Sequence, residues 1–203
     1  MELIDLRKIH EGEYVARYDA KYINKTGGTK VYELVSHNKD LTKDNFGNKD
    51  KQLSEIKVEA VGIIAFNQDF TKILLQKEFR LACNDWVYNF PGGMVDAGET
   101  IDITATRELK EETGLDVIRI LDYMPPCYSA VGFTDETIAT VICVAKGEFS
   151  ESTSPDEEIE VGWYTKEEIR EMLKTCKMSM RTQSFLYCWV HKYDHSSWRE
   201  EQL

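Results

Sequence analysis

Residues 93–115 read GMVDAGETIDITATRELKEETGL, and the architecture can be worked out from this stretch towards both ends of the chain. The stretch predicts a helix over residues 101–113, which Gly114 ends because glycine readily adopts the left-handed conformation of a helix C-cap. Within that helix Glu108, Glu111 and Glu112 are spaced i, i+3 and i+4, so their carboxylates project from one face. Three like charges on one face repel each other unless a cation lies between them.

Two interpretations of this acidic face are open. A solvated helix surface is the commoner use of such a pattern. The neighbouring residues favour a cation site instead, because Glu99 precedes the helix, Arg107 can hold a glutamate in place, and the turn Pro91-Gly92-Gly93 lets backbone carbonyls approach a ligand. Carboxylate and carbonyl oxygens are the ligands that Mg²⁺ or Mn²⁺ prefers, and no set of histidines or thiolates competes for a softer metal.

The same stretch resembles the Nudix box, whose pattern is G-x5-E-x7-R-E-U-x-E-E-x-G-U with U an aliphatic residue. A chance match to so many fixed residues has a probability below about one in 10⁸ per starting position. The resemblance implies the α/β fold of that family, an α/β/α sandwich with a mixed sheet, here with an N-terminal antiparallel β-hairpin module. Every specified position of the pattern agrees, namely Gly93, Glu99, Arg107, Glu108, Leu109, Glu111, Glu112, Gly114 and Leu115.

The resemblance implies hydrolysis of a nucleoside diphosphate linked to another group, by water that attacks a phosphorus of the pyrophosphate. The cofactor it implies is Mg²⁺ or Mn²⁺, which supplies the positive charge that an anionic pyrophosphate needs. Arg107 and Glu99 become the residues that orient the metal ligands. Transferred residue by residue, those ligands are Glu108, Glu111, Glu112 and the carbonyl of Gly92.

Outside the box, the chain resembles the ADP-ribose pyrophosphatase branch of the family. The likeness rests on the N-terminal module, on KEFR at residues 77–80 and on SAVGFTDE at residues 129–136. It implies ADP-ribose or an ADP-sugar as the substrate, cleaved to AMP and a sugar phosphate. The residues expected to contact this substrate are Arg80, whose guanidinium can bind a phosphate in a bidentate way, Gly93, Phe133 and Glu136.

The chain departs from that branch at two places. Val131 stands where the branch typically carries proline, and residues 89–93 read NFPGG where the branch carries E-L-P-A-G. Hydrolysis of another nucleoside diphosphate sugar, of a dinucleotide or of a nucleoside triphosphate therefore stays open. A non-catalytic nucleotide-binding sensor is the alternative outside the enzymes, although every glutamate of the box is present.

The acidic loop SPDEE at residues 154–158 resembles the place from which that branch takes a further carboxylate, used as a metal ligand or general base. Glu157 and Glu158 are the candidates, and a solvated acidic loop is an equally good interpretation. Trp86 and Tyr88 precede the glycine-rich turn, and core packing is favoured for them over stacking on a base.

Residues 13–36 predict an N-terminal hairpin, because two β-prone runs flank a Gly-Gly turn and place Tyr14, Tyr18 and Tyr22 on one face. Such a hairpin is too small to be stable alone, and in the resembled branch this module exchanges between the subunits of a homodimer. We therefore expect residues 1–54 to form a dimerisation module with its linker, and residues 55–203 to form the Nudix hydrolase domain.

In the larger domain, strands and helices alternate, which favours an α/β layered architecture. Thr165 and Glu168 form a capping-box pattern that opens a helix. The predicted strands cover residues 57–66, 72–78, 118–123, 137–145 and 160–164, and the predicted helices cover residues 101–113, 165–174 and 180–193.

Charge and cysteine content limit the partners. The 36 acidic residues exceed the 25 basic ones, giving a formal net charge of −11, so the chain gains nothing from neutralising nucleic-acid phosphates. The 5 cysteines are odd in number and form no C-x-x-C pair, which favours reduced thiols in a cytoplasmic protein. No apolar segment approaches the about 20 residues that span a bilayer, so we expect no membrane partner.

Overall fold

The computed structural model describes residues 1–154 and 156–191. The chain divides into two compact units, one made of residues 1–60 and 125–139, the other of residues 61–124 and the described residues from 140 onward. Within the described ranges, no helix has both the length and the apolar character needed to cross a bilayer. Residues 192 and 193, which the sequence assigns to the last helix, lie outside the described residues.

The first unit contains a three-stranded antiparallel sheet of β1 (Glu2–Glu11), β2 (Ala16–Ile23) and β3 (Thr29–Ser36), in that order. The predicted hairpin is confirmed as β2 and β3, which pair from Ala16 opposite Ser36 to Ile23 opposite Thr29. Strand β1 was not predicted from the sequence. Its register against β2 shifts twice, and each shift interrupts the period-two alternation by which a strand is recognised.

A small core holds this sheet together around Tyr18. Its ring is fully buried beside Ala16, Ala20 and Leu34, and its hydroxyl donates to the carbonyl of Asn38 at 3.0 Å. The prediction that Tyr14 shares this face is wrong, because Tyr14 precedes β2 and is 76% exposed.

The second sheet has seven strands, of which five follow the order β10-β5-β4-β9-β8, while β6 pairs with β5 and β7 pairs with β4. Strands β6 and β7 were not predicted, because they are short and half-buried and so have little apolar alternation. The strands are β4 (Ala60–Phe66), β5 (Lys72–Arg80), β6 (Asp85–Asn89), β7 (Gly92–Met94), β8 (Asp116–Tyr128), β9 (Thr137–Lys146) and β10 (Ile159–Thr165), and the helices are α1 (Ile101–Thr113), α2 (Lys166–Thr175) and α3 (Met180–His191).

Strand β5 shows how the helices are distributed over the sheet. Ile73 and Leu75 are buried in one cluster with Ile169 of α2 and Leu186 of α3. The side chain of Gln76, which follows Leu75, is hydrogen-bonded to α1. Because successive residues of a strand point to opposite faces, α1 covers one face while α2 and α3 cover the other. The predicted α/β/α sandwich is therefore confirmed.

The ends of the helices follow from their sequences. The Thr100 hydroxyl caps the N-terminus of α1, and Gly114 ends it in the left-handed region at φ 79° while its N–H donates to the carbonyl of Lys110. At the start of α2, Thr165 and Glu168 form the predicted capping box. Both helix starts were thus recognisable before the structure was known.

Candidate active site

The polar face of α1 is organised around Arg107. Its Nε and Nη2 atoms donate to the two carboxylate oxygens of Glu99, each at 2.9 Å, in a bidentate contact. Its Nη1 atom donates to Glu108 Oε1 at 2.8 Å and to Glu111 Oε2 at 3.2 Å. Nη2 also reaches the carbonyl of Met94 at 3.2 Å. One guanidinium therefore orients three carboxylates and the backbone that precedes the helix.

The charge state of this group follows from its contacts. Hydrogen bonds from Arg107, and secondly from Thr104, lower the pKa of Glu99 to about 2. Hydrogen bonding to Glu99 in turn raises the pKa of Arg107 above its usual range. Arg107 and Glu99 thus form a permanently charged pair, which fits the orienting role that the family resemblance gives them.

Glu112 lies deeper than the other two glutamates of α1. It is 6% exposed, its Oε2 accepts from the Gly92 N–H at 2.9 Å, and its Oε1 accepts from Gln76 Nε2 at 3.3 Å. Burial raises the pKa of Glu112 to about 8, against the effect of these two hydrogen bonds. Its carboxylate is thus fixed in direction, and its negative charge is only partly compensated.

Glu108 is held against the glycine turn. A Cβ atom on Gly93 would lie 2.1 Å from Glu108 Oε1, so any other residue there would displace the carboxylate. A Cβ atom on Gly92, which has φ 154°, would lie 2.1 Å from the carbonyl oxygen of Val61. Burial raises the pKa of Glu108 as well, and its hydrogen bond with Arg107 opposes that change. The two glycines therefore let β7 pass close to both α1 and β4.

The donor chemistry of this group fits a hard divalent cation. Glu108, Glu111 and Glu112 offer carboxylate oxygens, and burial leaves two of them with raised pKa values that a nearby cation would lower again. Within residues 1–154 and 156–191, the buried Oε1 atom of Gln76 accepts no hydrogen bond. Among residues 1–154 and 156–191, no three His, Cys, Asp or Glu side chains are already gathered around one point as ligands.

The loop between β9 and β10 carries Glu157 and Glu158, which the sequence did not distinguish and which make different contacts in the structure. The charge of Glu157 makes a small contribution to the raised pKa of both Glu108 and Glu112, after the larger effect of burial. Glu157 Oε2 accepts from the Ser152 hydroxyl at 3.3 Å, and the Thr153 N–H donates to the carbonyl of Glu111 at 3.1 Å. Glu158 instead supplies its backbone carbonyl to the N–H of Phe79.

Arg80 ends β5, on the face that carries Gln76. Its Nη1 atom donates to Glu78 Oε1 at 2.6 Å, and Glu78 is 8% exposed while the Arg80 side chain is 53% exposed. Gln76, Glu78 and Arg80 alternate along the strand, so they form a polar row from the buried Glu112 contact to the surface.

A sequence model described as the NUDIX domain matches residues 56–182. The chain belongs to the Nudix family. It is 27% identical over 198 residues to "Putative nudix hydrolase 2" of Caenorhabditis elegans. The aligned region covers 97% of this chain and 78% of that protein. It is 37% identical over 89 residues to ADP-ribose pyrophosphatase of Saccharomyces cerevisiae. That aligned region covers 44% of this chain and 38% of the yeast protein.

A solved structure described as an ADP compounds hydrolase has the same fold, with a TM-score of 0.70 and 16% sequence identity over 94% of this chain and 92% of the other. Together with the family match, these likenesses identify the protein as an enzyme, a Nudix hydrolase that resembles the ADP-ribose pyrophosphatase branch.

Two substrate residues expected from the Nudix resemblance belong to the first unit. Phe133 is 58% exposed, and its carbonyl accepts from the N–H of Val35 at 2.8 Å. The Glu136 carboxylate accepts a hydrogen bond from the Ser129 hydroxyl and lies 3.5 Å from His37 Nε2. Their role towards a substrate stays a prediction.

Two buried polar residues of β5 were not expected from the sequence, namely Gln76 and Glu78. Both stand in the strand KILLQKEFR, where a buried polar residue at every second position was the available signal. Tyr88 packs edge to face on Tyr164 with ring centroids 6.1 Å apart, which agrees with the core role predicted for it.

Proposed function

We propose that this Nudix hydrolase cleaves the pyrophosphate bond of ADP-ribose or an ADP-sugar, giving AMP and a sugar phosphate, with Mg²⁺ or Mn²⁺ as its cofactor. The observation that carries the proposal is the arrangement of Arg107 between Glu99, Glu108 and Glu111, with Glu112 buried beside them. The names of its relatives, among them ADP-ribose pyrophosphatase, support this substrate class.

In this proposal the ligands are Glu108, Glu111, Glu112 and the carbonyl of Gly92. A bound divalent cation neutralises pyrophosphate charge and makes a bound water more acidic. The protein's contribution is to fix the direction of each carboxylate before the cation arrives, which Arg107 does for Glu108 and Glu111. Because the chain carries a net charge of −11, the cation also offsets repulsion between the enzyme and an anionic substrate.

Glu157 is the residue we assign as general base. Its loop is joined to α1 by the hydrogen bond from the Thr153 N–H to the carbonyl of Glu111, and Glu157 is exposed enough to exchange a proton with solvent. Its hydrogen bond from Ser152 orients the carboxylate without neutralising it. Glu158 is the alternative, and its backbone contact with β5 gives its side chain no comparable orientation.

Arg80 is the residue we assign to a substrate phosphate. Its contact with Glu78 uses Nη1, and the other donors of the planar guanidinium can bind phosphate oxygens. Gly93 is the further contact that we propose beside Arg80, while Phe133 and Glu136 stay expectations from the family resemblance. Gly93 is fitted for this because its lack of a side chain lets a ligand come close to the backbone.

We further propose a cytoplasmic homodimer in which residues 1–54 contribute to dimerisation. The 5 cysteines are all free, as reduced thiols in a cytoplasm would be. On the N-terminal sheet Val31 and Tyr32 are exposed by 54% and 39%, and these are apolar groups that a second subunit could cover.

The test of the reaction is a substrate panel. ADP-ribose, a UDP-sugar, a dinucleoside polyphosphate and ATP are each incubated with Mg²⁺ or Mn²⁺, and the products are separated chromatographically. We expect ADP-ribose to give AMP and ribose 5-phosphate with a kcat/KM at least about 10-fold above that of ATP, or about 1.4 kcal/mol in transition-state binding. A panel in which ATP is the best substrate would refute the proposed substrate class.

A further inference from the structure

Gln76 is a buried amide that directly follows the apolar run of β5. It is 2% exposed and follows Ile73, Leu74 and Leu75, which are fully buried. Buried polar groups in protein interiors are nearly always hydrogen-bonded through every atom that can be. Gln76 is satisfied on one side only, because Oε1 accepts no hydrogen bond from any residue in the described part of the chain.

The orientation of this amide is fixed by its neighbour. Gln76 Nε2 donates to Glu112 Oε1 at 3.3 Å, and once a bound cation ionises Glu112 the reverse orientation would place the amide oxygen against a negative charge. Glu112 Oε2 accepts from the Gly92 N–H at 2.9 Å. The carboxylate is therefore held from two directions, by the turn before β7 and by β5.

The carbonyl oxygen of the amide does not stabilise the fold. An unpaired carbonyl oxygen in the interior loses its hydration without compensation. The N–H group contributes direction to Glu112, while no donor among the described residues reaches the oxygen. Water bound to a divalent cation is a strong donor, and Mg²⁺ keeps several waters when protein carboxylates bind it.

We propose that Gln76 is a positioning residue of the metal site, which orients Glu112 through its N–H group and accepts a hydrogen bond from the cation's hydration shell through its carbonyl oxygen. This inference rests on the proposed function, because it presupposes that Glu112 binds a cation. Residues that orient metal ligands in this way typically affect metal affinity by about 10- to 100-fold.

The test replaces Gln76 with methionine, which keeps the length of the side chain and removes both polar atoms. Mn²⁺ binding to the full chain without substrate is measured by calorimetric titration, and the melting temperature is measured with chelator present. We expect Gln76→Met to bind Mn²⁺ about 10- to 100-fold more weakly, while a cooperative melting transition with chelator present shows that the fold survives.

The control is Thr140→Val, which removes a buried hydroxyl from β9 of the same sheet and should leave Mn²⁺ affinity within twofold. At saturating Mn²⁺, Gln76→Met should lower kcat while KM for the nucleotide stays within twofold, because Gln76 contacts no substrate. If Gln76→Met does not fold, Gln76→Asn is titrated under the same criterion, since its shorter amide cannot reach Glu112.

Mn²⁺ affinity of the Gln76 variant within twofold of the wild type would overturn the inference alone. Wild-type protein that binds no Mn²⁺ would overturn the proposed metal dependence and the inference together. Wild-type protein that binds Mn²⁺ and leaves ADP-ribose intact would refute the substrate class, and the comparison of Mn²⁺ affinities would still decide the role of Gln76.

Discussion

Helix α1 and the loop between β9 and β10 are both rich in glutamate, yet they hold their carboxylates differently. On α1, Glu108 and Glu111 are hydrogen-bonded to one arginine, and Glu112 is buried between the Gly92 N–H and the side-chain amide of Gln76. In the loop, Glu157 accepts a neutral hydrogen bond from Ser152 and is otherwise open to solvent. Similar composition thus gives carboxylates held by several donors in one place and a solvent-exposed carboxylate with a single neutral donor in the other.

The largest expected effect comes from changing a carboxylate of α1. Glu112→Gln keeps the shape of the side chain and can keep the hydrogen bond from the Gly92 N–H, but it removes the charge that would bind a cation. We expect kcat with ADP-ribose to fall about 1000-fold with an unchanged circular dichroism spectrum. Glu171→Gln, on the exposed surface of α2, is the matched control. Near-full activity of Glu112→Gln would show that Glu112 is not a metal ligand.

The loop is tested by a pair of adjacent substitutions. Glu157→Gln should lower kcat about 100-fold, because a general base typically contributes at least that factor, while Mn²⁺ affinity changes little. Glu158→Gln should stay within twofold of the wild type. A reversed pattern would assign the base to Glu158, and equal activities of all three proteins would show that the loop carboxylates are only solvated.

The smallest effect concerns the stability that Arg107 and Glu99 contribute. The pKa of Glu99 is about 2 in the folded chain against its ordinary value of 4.5, so the contribution is present above pH 4.5 and is lost as the pH falls towards 2. We expect the melting temperature of the wild type to fall more steeply between pH 5 and pH 2 than that of Glu99→Gln. Glu167→Gln, which removes an exposed partner of Arg170, should follow the wild-type profile.

The sequence was informative wherever structure is encoded locally. The bounds of α1, its glycine C-cap and its carboxylate face follow from helical periodicity and from Gly114. Strand β1 was missed because its bulges break the alternation, and β6 because a short half-buried strand has no distinct pattern. These elements depend on pairing with partners far along the chain, which the sequence pattern does not specify.

The same distinction applies to the site. The three glutamates and Arg107 lie within one helix, so their spacing reveals their common face. The contact of Gln76 with Glu112 joins positions 36 residues apart, so no local sequence pattern predicts it. Glu157 and Glu158 are neighbours of the same type, and the backbone hydrogen bond from Thr153 to Glu111 is what gives the loop its direction.

The sharing of Arg107 among three carboxylates also affects how mutations combine. When Glu99 is lost, the guanidinium is free to strengthen its contacts with Glu108 and Glu111, so a second loss meets a rearranged partner rather than the original one. Residues within one ion-pair network typically show such interaction energies, of about 0.5 to 3 kcal/mol. The Arg107 network is therefore an epistatic unit: the effect of substituting Glu99, Glu108 or Glu111 depends on which of the other two is still present.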